Sequence, residues 1–455
     1  MWRCALPPPL RYPTVDELAA RAAALVDGRP RDARLRRVGT SRAGTPLWLL
    51  SIGHGGRQAL VVAGPHANEP VGGATVLRLA ERALADPRLT EGADVTWNLL
   101  LCLDPDGSRR NEGWLSGPYE LGHYFRHFFR PGFAEQPEWL PDGAAAAALP
   151  ETRALLAVQD ELRPLFQCSL HGVDVGGGFV ELTRDLPGLA PRVARIAGSL
   201  GVPREVGPCD ALYWPCLGPA VYRIPPPHRG DLAAAITEAA VESTWFHPQP
   251  YGTFTAIVEA PMWGVTAVED AAPPADADAV LRAVSRALRA DMRLLERLLE
   301  RIAPHLAEVP EATRLLAPVE DYLLVCPGLA DAWDPDSDAA AARPLPPLSA
   351  GHLAGLRIAG RRLALRTAGL LHQVVRGTGR DRAGVLPELD RIIDVWCAEY
   401  RDGFRARWIP VARQTEYQAA VVLDAFELAE RRARALARSG EPELGAQAGV
   451  PMHLE

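Results

Sequence analysis

Apolar runs that empty into polar loops constrain this chain more than any other feature. Residues 58–63 (QALVVA) lead into GPHANE, and residues 95–103 (VTWNLLLCL) lead into DPDG. Residues 166–174 (FQCSLHGVD) carry His171 near their end, and residues 254–261 (FTAIVEAP) carry Glu259. Short runs rich in aliphatic and β-branched side chains read as strands buried on both faces. Helical patterns alternate with them: TVDELAARAAALV (14–26) with Thr14 as its cap, and a segment from Pro70, suited to a first helical position, to about Ala85. A strand–turn–strand pattern from Arg34 to Ile52 surrounds GTSRAGTP. This alternation predicts an α/β fold with helices covering both faces of its sheet.

In such sheets ligands bind beyond the carboxyl ends of the strands. His66, Glu69, Asp104, His171 and Glu259 all fall at those ends, so one pocket can collect them. Two imidazoles and a carboxylate form a three-ligand zinc site with a fourth position left for water. His66 and Glu69, three apart where a loop enters a helix, can face the same way. The plain alternative is a polar pair at a helix start. Glu259, in an otherwise apolar strand, is either a carboxylate paired with an Arg or a general base beside a metal.

Composition narrows the chemistry. Every one of the 49 basic residues is Arg, which excludes lysine Schiff-base and P-loop mechanisms. A net charge of −7 gives no reason to expect nucleic acid or an anionic membrane as partner. No apolar run approaches the ~18 residues of a membrane span. MWRCALPPPL lacks the apolar core of a secretory signal, and seven scattered cysteines contain no CxxC pair. A reducing cytoplasm is the expected compartment.

From about Asp276 the texture turns helical, over 278–306 and again over 388–438, with an irregular Pro- and Asp-rich stretch expected at 326–350. The expected division is residues 1–305 as a catalytic domain and 306–455 as a mostly helical C-terminal region.

Read in order, several segments resemble the zinc carboxypeptidase family, which shares its core with aspartoacylase and succinylglutamate desuccinylase enzymes. YPTVDELAARAAALV is similar to that family's opening helix, and VGTSRAGTPLWLLSIG to its G-x-S-x-x-G-x-P-L turn. GPHANEP is similar to the segment bearing its first two zinc ligands, DPDG to its Asn-Pro-Asp-Gly, SLHGVD to the third ligand's segment, and FTAIVE to the strand of the catalytic Glu. The resemblance covers roughly residues 11–300. It implies a mixed, mostly parallel sheet flanked by helices, with a C-terminal helical appendage. It implies Zn2+ on His66, Glu69 and His171, and Glu259 as general base and acid. For the Arg that stabilises the oxyanion it offers Arg109 or Arg110. The family's Asn-Arg carboxylate clamp has its nearest match in Phe125-Arg126, with Arg130 as the other candidate. Tyr251 is the candidate for a substrate-capping tyrosine, with Trp245 and His247 as neighbours. The implied activity is a metallocarboxypeptidase acting on a peptide or modified amino acid. The alternatives are an N-acyl amino acid deacylase and a catalytically silent binding relative.

Overall fold

The computed structural model describes residues 10–140, 148–225, 243–306, 310–379, 381 and 384–439. The segment read for a secretory signal therefore lies, apart from Leu10, outside the described residues.

Helix α1 (Val15–Gly28) starts at Thr14, whose hydroxyl accepts from Glu17 N while the Glu17 carboxylate reaches back to Thr14 N. That reciprocal pair satisfies two of the donors a helix start leaves open. Strands β1 (Ala33–Thr40), β2 (Pro46–Ile52) and β3 (Arg57–Val62) precede α2 (Val71–Ala85). After β4 (Val95–Leu100) come α3 (Pro105–Arg110), α4 (Leu121–His127) and α5 (Pro150–Leu162). The long β5 (Phe166–Gly176) turns into β6 (Phe179–Leu182), followed by α6 (Leu189–Leu200), β7 (Cys216–Gly218) and β8 (Val221–Arg223). β9 (Phe254–Gly264) closes this part of the chain.

The sheet order is β1-β2-β4-β3-β5-β9-β6-β8-β7. The central strands β4, β3, β5 and β9 are mutually parallel, and the antiparallel pairs lie towards the margins. In the β5/β9 register His171 stands opposite Glu259, so two strands distant in sequence deliver both side chains to the same level. Leu155 and Val158 of α5 cover Leu60, Val62 and Leu100 on one face of the sheet.

The C-terminal part holds α7 (Ala277–Leu306), α8 (Pro310–Trp333), α9 (Asp338–Ala342), α10 (Ala350–Thr378) and α11 (Leu386–Ala398). A short strand β10 (Arg407–Trp408) and the helix α12 (Val411–Ser439) complete it. The irregular stretch expected at 326–350 is shorter than the sequence suggests. α8 runs through Pro318 and Pro327 to Trp333, because burial of Cys326, Ala330 and Trp333 offsets the cost of proline inside a helix. α10 starts at Ser349, whose hydroxyl accepts from His352 N.

The hydrophobic core runs without interruption across residue 305. Leu295 and Ile302 belong to one apolar cluster with Val319, Leu365 and Tyr417. β10 pairs with the end of β9, and α12 lies against α2, α6, β5 and β9.

Candidate metal centre

The chain leaves β3 through Gly64, at φ +59°, where an added Cβ would stand 2.8 Å from Cys102 Sγ. A residue without a side chain is required there, and the tight turn brings His66 and Glu69 beside His171. His171 stands mid-way along β5 and not at its end as the sequence suggests, just as Glu259 stands mid-way along β9. His66, Glu69 and His171 are all buried. His66 Nδ1 lies 3.1 Å from both Glu69 carboxylate oxygens, and His171 Nδ1 lies 3.4 Å from Glu69 Oε2. One ligand atom from each residue falls within 4.8 Å of the others. Glu259 Oε1 is 3.7 Å from the same His171 Nδ1, and its Oε2 is buried with no partner among the described residues.

The far sides of the two rings meet a residue that no sequence pattern singles out. Glu138 Oε2 lies 3.1 Å from His171 Nε2 and 3.8 Å from His66 Nε2. Ser169 Oγ and Trp245 Nε1 donate to Glu138 Oε1 at 2.6 and 2.8 Å, which fixes the carboxylate. Metal-binding histidines characteristically turn one nitrogen to the ion and the other to such a carboxylate. Here both Nδ1 atoms face Glu69 and both Nε2 atoms face Glu138, so the donor set fits zinc. Glu138 lies in AEQPEWLP, a proline-bounded loop without periodicity, and only its position in the fold marks it.

Burial and charge act strongly here. Burial, reinforced by the Arg130 guanidinium, pushes the His66 pKa down to about 4. For His171 burial works the same way, but the carboxylates of Glu138, Glu69 and Glu259 outweigh it and hold the pKa well above that of ordinary imidazole. Burial raises the Glu259 pKa, and the acids Glu69, Glu181 and Asp210 raise it further against the opposing pull of His171. Burial acts on Glu69 in the same direction, yet His66, His171 and Arg130 together hold its carboxyl well below the usual range.

The arginine and tyrosine candidates separate sharply. Arg130 reaches the centre: its Nη1 is 3.1 Å from Glu69 Oε1 and 3.5 Å from Asn68 Oδ1, and its Nη2 is 3.3 Å from Gln136 Oε1. The other candidates meet other partners. Arg109 turns to α1 and pairs with Asp16 at 2.6 Å. Arg110 lies over the Phe129 ring at 4.6 Å and lines a separate cavity with Arg42, Asp104 and Asp106. Arg126 is held by Asp390 at 2.6 Å and Asp394 at 2.8 Å on α11, a helix face the sequence did not connect to it. Tyr251 is exposed, and its hydroxyl donates to Asp160, which also holds His247. Trp245 does reach the centre, through Glu138. Tyr124, Phe125, Phe128 and Phe129 are core residues.

Asn68, between the two candidate ligands of its loop, ties the centre to a second buried group. Its Nδ2 lies 3.3 Å from Asp174 Oδ1, to which Tyr124 Oη donates at 2.7 Å. Arg366 of α10 grips the same carboxylate with Nε at 2.7 Å and Nη2 at 3.0 Å.

Asp104 sits at the start of α3, where its Oδ1 accepts from Gly107 N and its Oδ2 is buried without a partner among the described residues. Burial raises its pKa to about 7. An acid whose folded pKa lies above its unfolded value loses stability as pH rises between the two. Asp104→Asn keeps the capping acceptor and removes the charge. Its stabilisation is expected to grow from pH 4 to pH 7 and to level off above, reaching on the order of 1–3 kcal/mol at pH 8. Denaturant unfolding at pH 5 and pH 8 measures this, and an equal effect at both would contradict it.

Residues 19–175 match the family model described as zinc carboxypeptidase. Among solved structures, a metallo-carboxypeptidase from Burkholderia cenocepacia is 17% identical, over 57% of this chain and 61% of its own, with a TM-score of 0.36. The carboxypeptidase A of Helicoverpa armigera is 14% identical, over 55% of this chain and 65% of its own, with a TM-score of 0.38. The matched stretches span less than two thirds of both chains. A comparison with curated proteins gives no match.

Proposed function

From the zinc carboxypeptidase character of residues 19–175, we propose that this chain is a zinc-dependent hydrolase of peptide-type amide bonds, acting as a metallocarboxypeptidase. One observation carries the reading: His66 Nδ1, a Glu69 oxygen and His171 Nδ1 converge, with the Glu259 carboxylate 3.7 Å from His171 Nδ1. A catalytically silent relative has no chemical need of all four.

His66, Glu69 and His171 would hold the zinc, which when bound supplies Lewis acidity and lowers the pKa of its water from 15.7 towards ~7. Glu259 takes the proton of the attacking water and passes it to the leaving amine. Its Oε2 has no hydrogen-bond partner among the described residues, which leaves that oxygen available to the proton. Glu138 orients the His171 imidazole through its Nε2 and stands 3.8 Å from His66 Nε2. Arg130, at the edge of the centre, offers a planar fork to the substrate's carboxylate or to the developing oxyanion.

Two substrate classes test the proposal. Hydrolysis of peptides with a free C-terminus, dependent on added zinc, supports it. Hydrolysis confined to N-acyl amino acids moves the activity to a deacylase, and no hydrolysis of either by the zinc-loaded chain overturns it. Arg130→Ala is expected to raise KM about tenfold or more for free-acid peptides, the cost of losing a charged hydrogen bond, and less for their amides. Arg126→Ala, whose guanidinium is occupied by Asp390 and Asp394, should leave both KM values unchanged. Equal losses on acid and amide in Arg130→Ala would remove it from carboxylate binding.

A further inference from the structure

A side chain of the last helix of the described chain hydrogen-bonds the backbone of the candidate metal centre. Gln418 of α12 is fully buried. Its Nε2 donates to the His171 carbonyl at 2.6 Å and to the Val258 carbonyl at 3.1 Å. Its Oε1 accepts from Thr75 Oγ1 at 2.7 Å. Carbonyls only accept, so the NH2 must face the strands and the oxygen must face Thr75. The three partners are the carbonyl of a candidate ligand on β5, the residue before Glu259 on β9, and a residue of α2, which begins two residues after Glu69.

We propose that Gln418 is a positioning residue for the zinc centre, holding at fixed separation the backbone segments from which Glu69, His171 and Glu259 project. The inference rests on the zinc-hydrolase reading. A ligand set works only when held within about 0.5 Å of its productive geometry. β5 and β9 are neighbours, but a shift of either relative to α2 would move His171 or Glu259 away from Glu69. One amide bonded to all three elements opposes that shift. The C-terminal region is then part of the catalytic unit and not an accessory to it.

The test uses the full-length chain and reads zinc affinity by competition with a chromophoric chelator, together with the thermal midpoint. Gln418→Met keeps the volume and removes all three hydrogen bonds. Gln414→Met is the control: Gln414 is also fully buried on α12, but its amide bonds Tyr12 Oη and the Ile409 carbonyl, away from the centre. Both variants should lose thermal stability. Only Gln418→Met should bind zinc more weakly, by about tenfold or more, the scale on which groups supporting metal ligands act. Thr75→Val, which removes only the hydroxyl that orients the amide, should weaken zinc binding by a smaller factor and serves if Gln418→Met does not fold. Zinc affinity in Gln418→Met equal to that of the parent or of the control would overturn the inference, as would unchanged affinity in a folded Thr75→Val when Gln418→Met fails to fold. A parent chain that takes up no zinc overturns the hydrolase reading itself, and with it this inference.

Discussion

Glu259→Gln is expected to lower turnover by about 10²–10⁴ while zinc stays bound. The amide keeps the shape of the side chain but cannot take a proton from water or return it to the leaving amine. Glu259 Oε2 has no hydrogen-bond partner among the described residues, so the substitution breaks no hydrogen bond of that oxygen there and the fold should persist. Binding should change little, so the loss should appear in kcat and not in KM. Steady-state kinetics beside a zinc determination on the same preparation decides the matter. Turnover at the parental rate would mean that another group handles the proton.

On the proposed ligand set, His171→Ala should reduce zinc from about one per chain to near zero, because it removes one of three candidate protein ligands. The cost extends beyond the metal. Glu69 and Glu138 both lean on the His171 ring, and each would be left buried beside one imidazole instead of two. Breaking a buried charge pair costs about 3–5 kcal/mol, so the variant should also unfold at lower temperature. Elemental analysis reads the zinc, and circular dichroism establishes that the fold remains. Full zinc retention in a folded His171→Ala would sink the ligand assignment.

These two predictions rest on residues that the sequence already placed together. Their location follows from local pattern: apolar β-branched runs form strands, strands alternating with helices form an α/β sheet, and polar residues at strand ends share a crevice. That rule grouped His66, Glu69, His171 and Glu259, but His171 and Glu259 stand mid-way along β5 and β9, which pair on to Gly176 and Gly264. The strand that stops short of them is β3, ending at Val62 opposite Ser169. The supporting residues followed no such rule. Glu138 sits in a loop with no period to read, and its neighbours Ser169 and Trp245 come from distant parts of the chain.

The arginines show the same limit from the other side. Arg109, Arg110, Arg126 and Arg130 fall within one short stretch, and nothing in that stretch distinguishes them. What separates them is the partner each meets: Asp16 on α1, the Phe129 ring, Asp390 and Asp394 on α11, or Glu69. The sequence by itself determined the strands, the grouping of His66, Glu69, His171 and Glu259, and the likeness to zinc carboxypeptidases. Tertiary structure alone decided which arginine faces the centre, that Glu138 stands behind both imidazoles, and that Gln418 bonds the carbonyl of His171 from 247 residues away. The physical reason is range: backbone periodicity acts over a few residues, whereas a buried charge or amide finds its partner wherever packing brings one.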